Sequence, residues 1–182
     1  MAESADSETE SMLQHWREAV PNDRLAHLIR DAARALVRSL SVRLAEHHVS
    51  FGHWSFLRVL WVEDGLTQRE LSERAGVMEP TTFSAIKTME RLGYVVRRRH
   101  EGDRKKVYIH LTAKGRALEK RLVPLAEEVN RVAVDGIASE NIAITRAVLL
   151  TMIENVAGDD ASTKPMPSTR VIAGLARRRA GK

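Results

Sequence analysis

Leu66-Thr67-Gln68-Arg69-Glu70-Leu71-Ser72-Glu73-Arg74-Ala75-Gly76 decides how this chain folds. Thr67 and Glu70 stand at capping-box spacing: the Thr67 hydroxyl can accept the Glu70 amide hydrogen while the Glu70 carboxylate accepts that of Thr67. Leu66 and Leu71 flank the box as a hydrophobic staple, and Gly76 supplies a stop. The pattern predicts a short helix to Ala75, a turn at Gly76-Val77-Met78, and a second helix over residues 79–92 with Pro80 at its first position. Two helices so joined make a helix-turn-helix.

On a wheel of the second helix, Thr82, Ala85, Ile86 and Met89 share one face, expected to be core. Pro80, Ser84, Lys87, Thr88 and Arg91 lie opposite, with Thr81 nearby. Such a face is usually just solvated. Here hydroxyls are mixed with Lys and Arg and no acid intervenes, a composition that suits phosphates and base edges. Phe83 falls on the flank, where core packing is expected.

Gly93 would end that helix in the left-handed conformation. Tyr94-Val95-Val96 and Val107-Tyr108-Ile109-His110-Leu111 then alternate as strands, and the loop over 97–106 joins them into a β-hairpin with a cationic tip. Residues 87–106 hold eight Lys/Arg against three acids, a local excess of +5 that equals the net charge of the whole chain. Six of those cations fall within ten residues beside a recognition-type helix, which favours phosphate and minor-groove contact over a merely solvated tip.

Outside this region the pattern is long and helical. Leu25, Leu28, Ile29, Ala32, Leu36, Val37, Leu40 and Leu44 recur at helical spacing to about His48. Trp54, Leu57, Val59, Leu60, Trp61 and Val62 make a helix apolar on most sides, hence central. Thr112 can cap a helix to about residue 136, kinked by Pro124, and a last helix after Ser139 carries Ile142, Leu149, Leu150, Ile153 and Val156. These are more apolar faces than one small winged domain can cover, so an isologous dimer is expected. The fold class is therefore mainly α with a small β-hairpin wing, a winged helix-turn-helix dimerised through its N- and C-terminal helices. The expected segments are an acidic N-terminal arm (1–21, with a short helix over 11–20), dimerisation and core helices (22–64), the winged helix-turn-helix region (65–112), C-terminal dimerisation helices (113–157) and a flexible basic tail (158–182).

The 182 residues suffice for about one domain with a real core. With no cysteine, disulfides, thiolate metal sites, Cys nucleophiles and thiol redox sensing are excluded. No apolar run approaches a membrane span, and the acidic N-terminus is unlike a secretory one, so a cytoplasmic location without membrane contact is expected. Gly-rich phosphate loops, Gly-x-Ser-x-Gly and His-Glu-x-x-His are absent, and an enzyme is not expected.

Thr67-Gln68-Arg69-Glu70-Leu71-Ser72, Thr81-Thr82-Phe83-Ser84, Met89-Glu90-Arg91-Leu92-Gly93-Tyr94-Val95, Gly102-Asp103-Arg104-Lys105 and Leu111-Thr112-Ala113-Lys114-Gly115 resemble the MarR (multiple antibiotic resistance regulator) family over roughly residues 23–156. The resemblance implies a dimeric repressor of a palindromic double-stranded DNA operator, relieved by a small molecule. By position it places the helix from Pro80 in the major groove and Arg104 in the minor groove, with Asp103 orienting the wing arginine through an ion pair. The candidate DNA-contacting set is Thr81, Thr82, Ser84, Lys87, Thr88, Arg91, Arg97, Arg98, Arg99, Asp103, Arg104 and Lys105; Thr82 is counted both here and on the core face.

For the effector, the resemblance points to the region holding Arg43, His47, His53, Trp54, Arg58 and Trp61. Aromatics beside a cation would suit an aromatic carboxylate or its thioester, although ordinary packing explains Trp54 and Trp61 equally well. His47, His48 and His53 do not make a metal site, since adjacent helical histidines face different ways and no acidic cluster completes the set. No cofactor is expected. The rival reading that fits the charge pattern is an architectural protein that binds nucleic acid without sequence preference.

Overall fold

The computed structural model describes residues 25–100 and 103–162 together with residues 10, 11, 13, 14, 16 and 17; the side chains of residues 100, 103–105 and 160–162 are outside the description. The described residues among 10–17 are helical, in line with the short helix expected there. The chain divides into two compact units, residues 1–133 and 134–182.

In the first unit the order is α1 (Leu25–Ala45), α2 (Phe51–Val62), β1 (Leu66–Thr67), α3 (Gln68–Ala75), α4 (Glu79–Arg91), β2 (Val95–His100), β3 (Asp103–Leu111) and α5 (Ala113–Ala133). The capping box forms as expected: Thr67 Oγ1 accepts from the Glu70 amide at 3.3 Å and Glu70 Oε2 accepts from the Thr67 amide at 2.8 Å. Leu66 and Leu71, the expected staple pair, are both buried in the core. Gly76 ends α3 at φ 64°, and Gly93 follows α4 at φ 72°; both are left-handed turns that a side chain would strain.

α2 is the central helix, with Trp54, Phe56, Leu57 and Leu60 buried. Its last residue is the exception, since Val62 is 88% exposed. Around α2 the core takes Leu40 and Leu44 from α1, Leu71 from α3, Ile86 and Met89 from α4, Tyr94 from the bend before β2, Val95, Ile109 and Leu111 from the sheet, and Leu118, Leu122 and Val129 from α5. α5 runs continuously through Pro124.

The sheet differs from expectation in two ways. β1 is a third strand, pairing Leu66 with Ile109 and Thr67 with Tyr108, so the order is β1-β3-β2. The hairpin strands also reach far beyond the apolar residues: Arg97 pairs with Ile109, Arg98 with Tyr108 and His100 with Asp103, with a bulge between Arg98 and His100. Most of the segment expected to be loop is therefore ladder. Charged side chains tolerate an exposed hairpin because the backbone bonds, not the side chains, extend it.

In the second unit, Gly136 turns the chain at φ 73° into α6 (Ser139–Ser162). α6 continues past the tail boundary expected at residue 158; the rest of that tail, 163–182, lies outside the described residues. Ile144, Val148, Leu149, Leu150, Ile153 and Val156 on α6 are all exposed.

Candidate nucleic-acid interface and effector groove

α4 is positioned by three buried residues, Thr82, Ile86 and Met89. They recur on one side of the helix, which turns the opposite side outward. Thr81, Ser84, Lys87 and Arg91 are exposed there and Thr88 is half-buried. The Ser84 and Thr88 hydroxyls donate to the Pro80 and Ser84 carbonyls at 3.2 Å each, and Arg91 donates to Thr88 Oγ1 at 3.2 Å. With their protons committed to the helix, these hydroxyls present lone pairs, and Lys87 and Arg91 present donors.

Two residues depart from expectation. Thr82 is wholly buried with its hydroxyl on the Met78 carbonyl, so it leaves the DNA-facing set and keeps only its core role. Phe83 does not pack in the core: it is 49% exposed on the flank of the outward face.

The base of the wing is laced to the helices around it. Asp64 accepts from the Leu111 amide and from Arg116 Nη2, each at 2.8 Å, with His110 Nδ1 at 3.7 Å. Burial alone would raise the Asp64 pKa, but the Leu111 amide, Arg116 and His110 outweigh it and hold the carboxyl below its ordinary value. Thr112 donates to the Gly93 carbonyl at 2.6 Å and accepts from the Gly115 amide at 3.0 Å, capping α5 as expected. Gly115 lies so close to the sheet that a Cβ there would overlap the Tyr94 carbonyl oxygen.

Of the wing cations whose side chains are described, Arg97, Arg98, Arg99 and Lys106 are all exposed. Arg97 is not simply presented to solvent, because its Nε and Nη2 donate to Glu90 Oε2 on α4 at 3.0 and 2.6 Å. Asp103, Arg104 and Lys105 lie on β3, with side chains outside the described ones.

A groove of about 500 Å³ opens between α2, α3 and α5, and of the six effector candidates only Trp54 and Arg58 line it. Its other walls include Val59 and Val62 of α2 and Val123, Ala126 and Glu127 of α5, partners that no reading of α2 alone could supply. Arg74 at its edge is paired with Glu63. Trp61 meets Trp54 edge-on with ring centres 5.5 Å apart and donates its indole hydrogen to the Gly115 carbonyl at 3.0 Å, a packing role. Arg43 spends one nitrogen on Ser39, bonding its hydroxyl at 2.7 Å and its carbonyl at 3.1 Å. His47 is half-buried beyond the end of α1. His53 Nδ1 is buried and without a hydrogen-bond partner among the described residues, and burial lowers the pKa of its ring. Among the described residues no three His, Asp or Glu side chains form a metal-binding group, and no helix is long and apolar enough to cross a membrane.

Residues 49–107, from the end of α1 into the wing, match the MarR family model. The chain is 33% identical over 101 residues to the HTH-type transcriptional regulator TtmR of Methylorubrum extorquens, a match covering 56% of this chain and 52% of that protein, so it spans about half the length of that relative. It is 31% identical over 102 residues to the homoprotocatechuate degradative operon repressor of Escherichia coli, covering 56% of this chain and 67% of that one. Among solved structures, a MarR-type protein from Listeria monocytogenes, crystallised with a 26mer DNA, shares the fold at a TM-score of 0.68 and 24% identity over 80% of this chain and 99% of that one. These relatives are regulators rather than enzymes, and with the capped helix-turn-helix, three-stranded wing and flanking long helices in place, the chain belongs to the MarR family.

Proposed function

We propose that this chain is a sequence-specific DNA-binding transcriptional regulator that works as a homodimer on a palindromic operator. The observation that carries the reading is the outward face of α4, where Thr81, Ser84, Lys87, Thr88 and Arg91 stand without an acid beside an exposed basic wing. Lone pairs and cations on a groove-sized helix suit base edges and phosphates together. Arg98, Arg99, Arg104 and Lys105 then follow the backbone or minor groove, with Asp103 orienting the wing arginine. The 26mer DNA in complex with the Listeria monocytogenes neighbour supports DNA as the partner of this fold.

A dimer is supported by the exposed apolar residues Leu25, Leu28, Leu36, Val37 and Val42 on α1 and by those on α6. Covering such faces with a second copy removes them from water, and two-fold symmetry then sets two recognition helices about one turn of duplex apart. A repressor is the reading that the operon repressor of Escherichia coli favours. Relief by a small apolar acid is supported by the groove, where Trp54, Val59, Val123 and Ala126 offer apolar walls and Arg58 a cation.

Footprinting on genomic fragments tests the central claim. The expected result is a discrete palindrome of roughly 20 base pairs or fewer, protected as two half-sites; protection without a unique site would establish the architectural reading instead. Ser84→Ala or Thr88→Ala is expected to change preference among operator variants by roughly 1–3 kcal/mol. For the groove, a thermal-shift series of aromatic acids and acyl-thioesters is expected to yield a stabilising ligand by mass action, and Arg58→Ala to abolish that shift.

A further inference from the structure

The wing and α4 are joined by an ion pair that neither DNA reading nor core packing uses. Glu90 lies in the last turn of α4, and Arg97 lies in the middle of β2 opposite Ile109, just before the bulge. Both guanidinium nitrogens that face Glu90 converge on one carboxylate oxygen, at 3.0 and 2.6 Å. The two side chains are about equally shielded, at 36% and 34% exposure, so neither is wholly at the disposal of solvent. Apart from Glu79 at its start, Glu90 is the one acid on α4. An acid placed there works against DNA by repulsion, unless its effect on geometry outweighs its charge.

We propose that Glu90 and Arg97 form a clamp that fixes the angle between the wing and the recognition helix, making Arg97 a positioning residue and not a phosphate contact. This rests on the DNA-binding reading. A wing held at one angle meets the duplex without an ordering cost at the moment of binding, which is what preorganisation contributes to affinity. The pairing also lowers the Glu90 pKa, with the Arg97 side-chain hydrogen bonds as the largest cause, so the acid stays charged at neutral pH. An arginine whose charge is already matched by Glu90 has little left to displace counterions from phosphates.

The two roles give opposite signs for the same variant. If Arg97 were a phosphate contact, Glu90→Gln would free it and remove a repulsive charge, and binding would tighten. The clamp requires Glu90→Gln to weaken binding by about two- to fivefold, the range of an exposed ion pair. The probe is a labelled duplex selected by the wild-type chain from a random-sequence pool, titrated from low to moderate salt with Glu90→Gln, Arg97→Gln and the double variant. The expected result is weakening in both single variants, a double variant no weaker than either, and a salt slope unchanged from wild type. Arg97→Lys, which keeps the charge but lacks the fork, is expected to weaken binding as well. Equal or tighter binding by Glu90→Gln, or a slope lowered by about one unit in Arg97→Gln, would overturn the clamp alone. A wild-type chain that selects no duplex removes the DNA-binding reading and the clamp's function together. Melting curves of each variant separate a lost clamp from a lost fold.

Discussion

α4 and α6 make opposite use of their surfaces. α4 buries Thr82, Ile86 and Met89 within its own chain and turns hydroxyls and cations outward. α6 leaves Ile144, Leu150, Ile153 and Val156 exposed, and the first part of α1 does the same with Leu25 and Leu28. The winged helix-turn-helix closes within a single chain, through its caps, its sheet and its core. Among the described residues the apolar side chains of the outer helices are left exposed, and these are the faces that the proposed dimer would bury. The difference separates two kinds of variant, those that break the module and those that break its assembly.

The largest expected effect is on the module. Gly115→Ala would gain helix propensity of about 1 kcal/mol but places a methyl against the Tyr94 carbonyl and within 3.1 Å of Leu111. Backbone cannot give way as a side chain does, so a net loss of about 3 kcal/mol is expected, read by denaturant unfolding. An unchanged midpoint would show that α5 and the sheet are not locked at this point.

Assembly should respond to a different residue. Leu28 on α1 is exposed, and Leu28→Glu is expected to weaken self-association by about 2 kcal/mol, or roughly thirtyfold, while the unfolding midpoint of the monomeric species stays unchanged. Sedimentation over a concentration series measures it. If association is unaltered, the α1 stripe is not the interface and the contrast drawn above fails.

Asp64 offers a smaller effect with a pH signature. Its folded-state pKa is depressed, so the stabilisation is fully present above the unfolded carboxylate value and is lost as acid carries the pH down through the folded one. Asp64→Asn is therefore expected to cost about 1 kcal/mol at neutral pH, with the variant and wild-type stability curves converging on acidification below the ordinary carboxylate range. Parallel curves across that range would show that the Asp64 charge is not what ties β3 and α5 together.

What could be read from sequence follows how local its cause is. The Thr67–Glu70 box and the turns at Gly76 and Gly93 all form because each depends on neighbours within a few residues. β1 could not be read, since two residues have no period and exist as a strand only by pairing with β3. The extension of β2 through Arg97 and Arg98 was hidden for a related reason: the ladder is a property of the partner strand, not of charged side chains. Arg97 looked like one more cation because Glu90, its partner, is reached only once the chain turns at Gly93. The groove needed Val123 and Ala126 from a helix more than sixty residues away from Trp54. Thr82 is legible on the wheel, which sets it on the core face with Ala85, Ile86 and Met89, where it is wholly buried.

The smallest expected effect runs the other way, toward greater stability, and tests how finished the module is. His48 takes φ 58° at the end of α1, where the Val49 amide reaches back to the Leu44 carbonyl at 3.1 Å and the His48 amide to that of Ala45 at 2.9 Å. This is the position that glycine fills after α3 and α4, and a side chain there costs strain. Leu44 and Val49 are both buried, so the closing apolar contact holds the turn against that strain. His48→Gly should relieve it, offset in part by the greater freedom of glycine in the unfolded chain, for a net gain of about 0.5 kcal/mol. Denaturant midpoints measured on the two chains check the sign. A loss in its place would mean that the imidazole makes a contact worth more than the strain, and that the turn between α1 and α2 belongs with the finished part of the molecule.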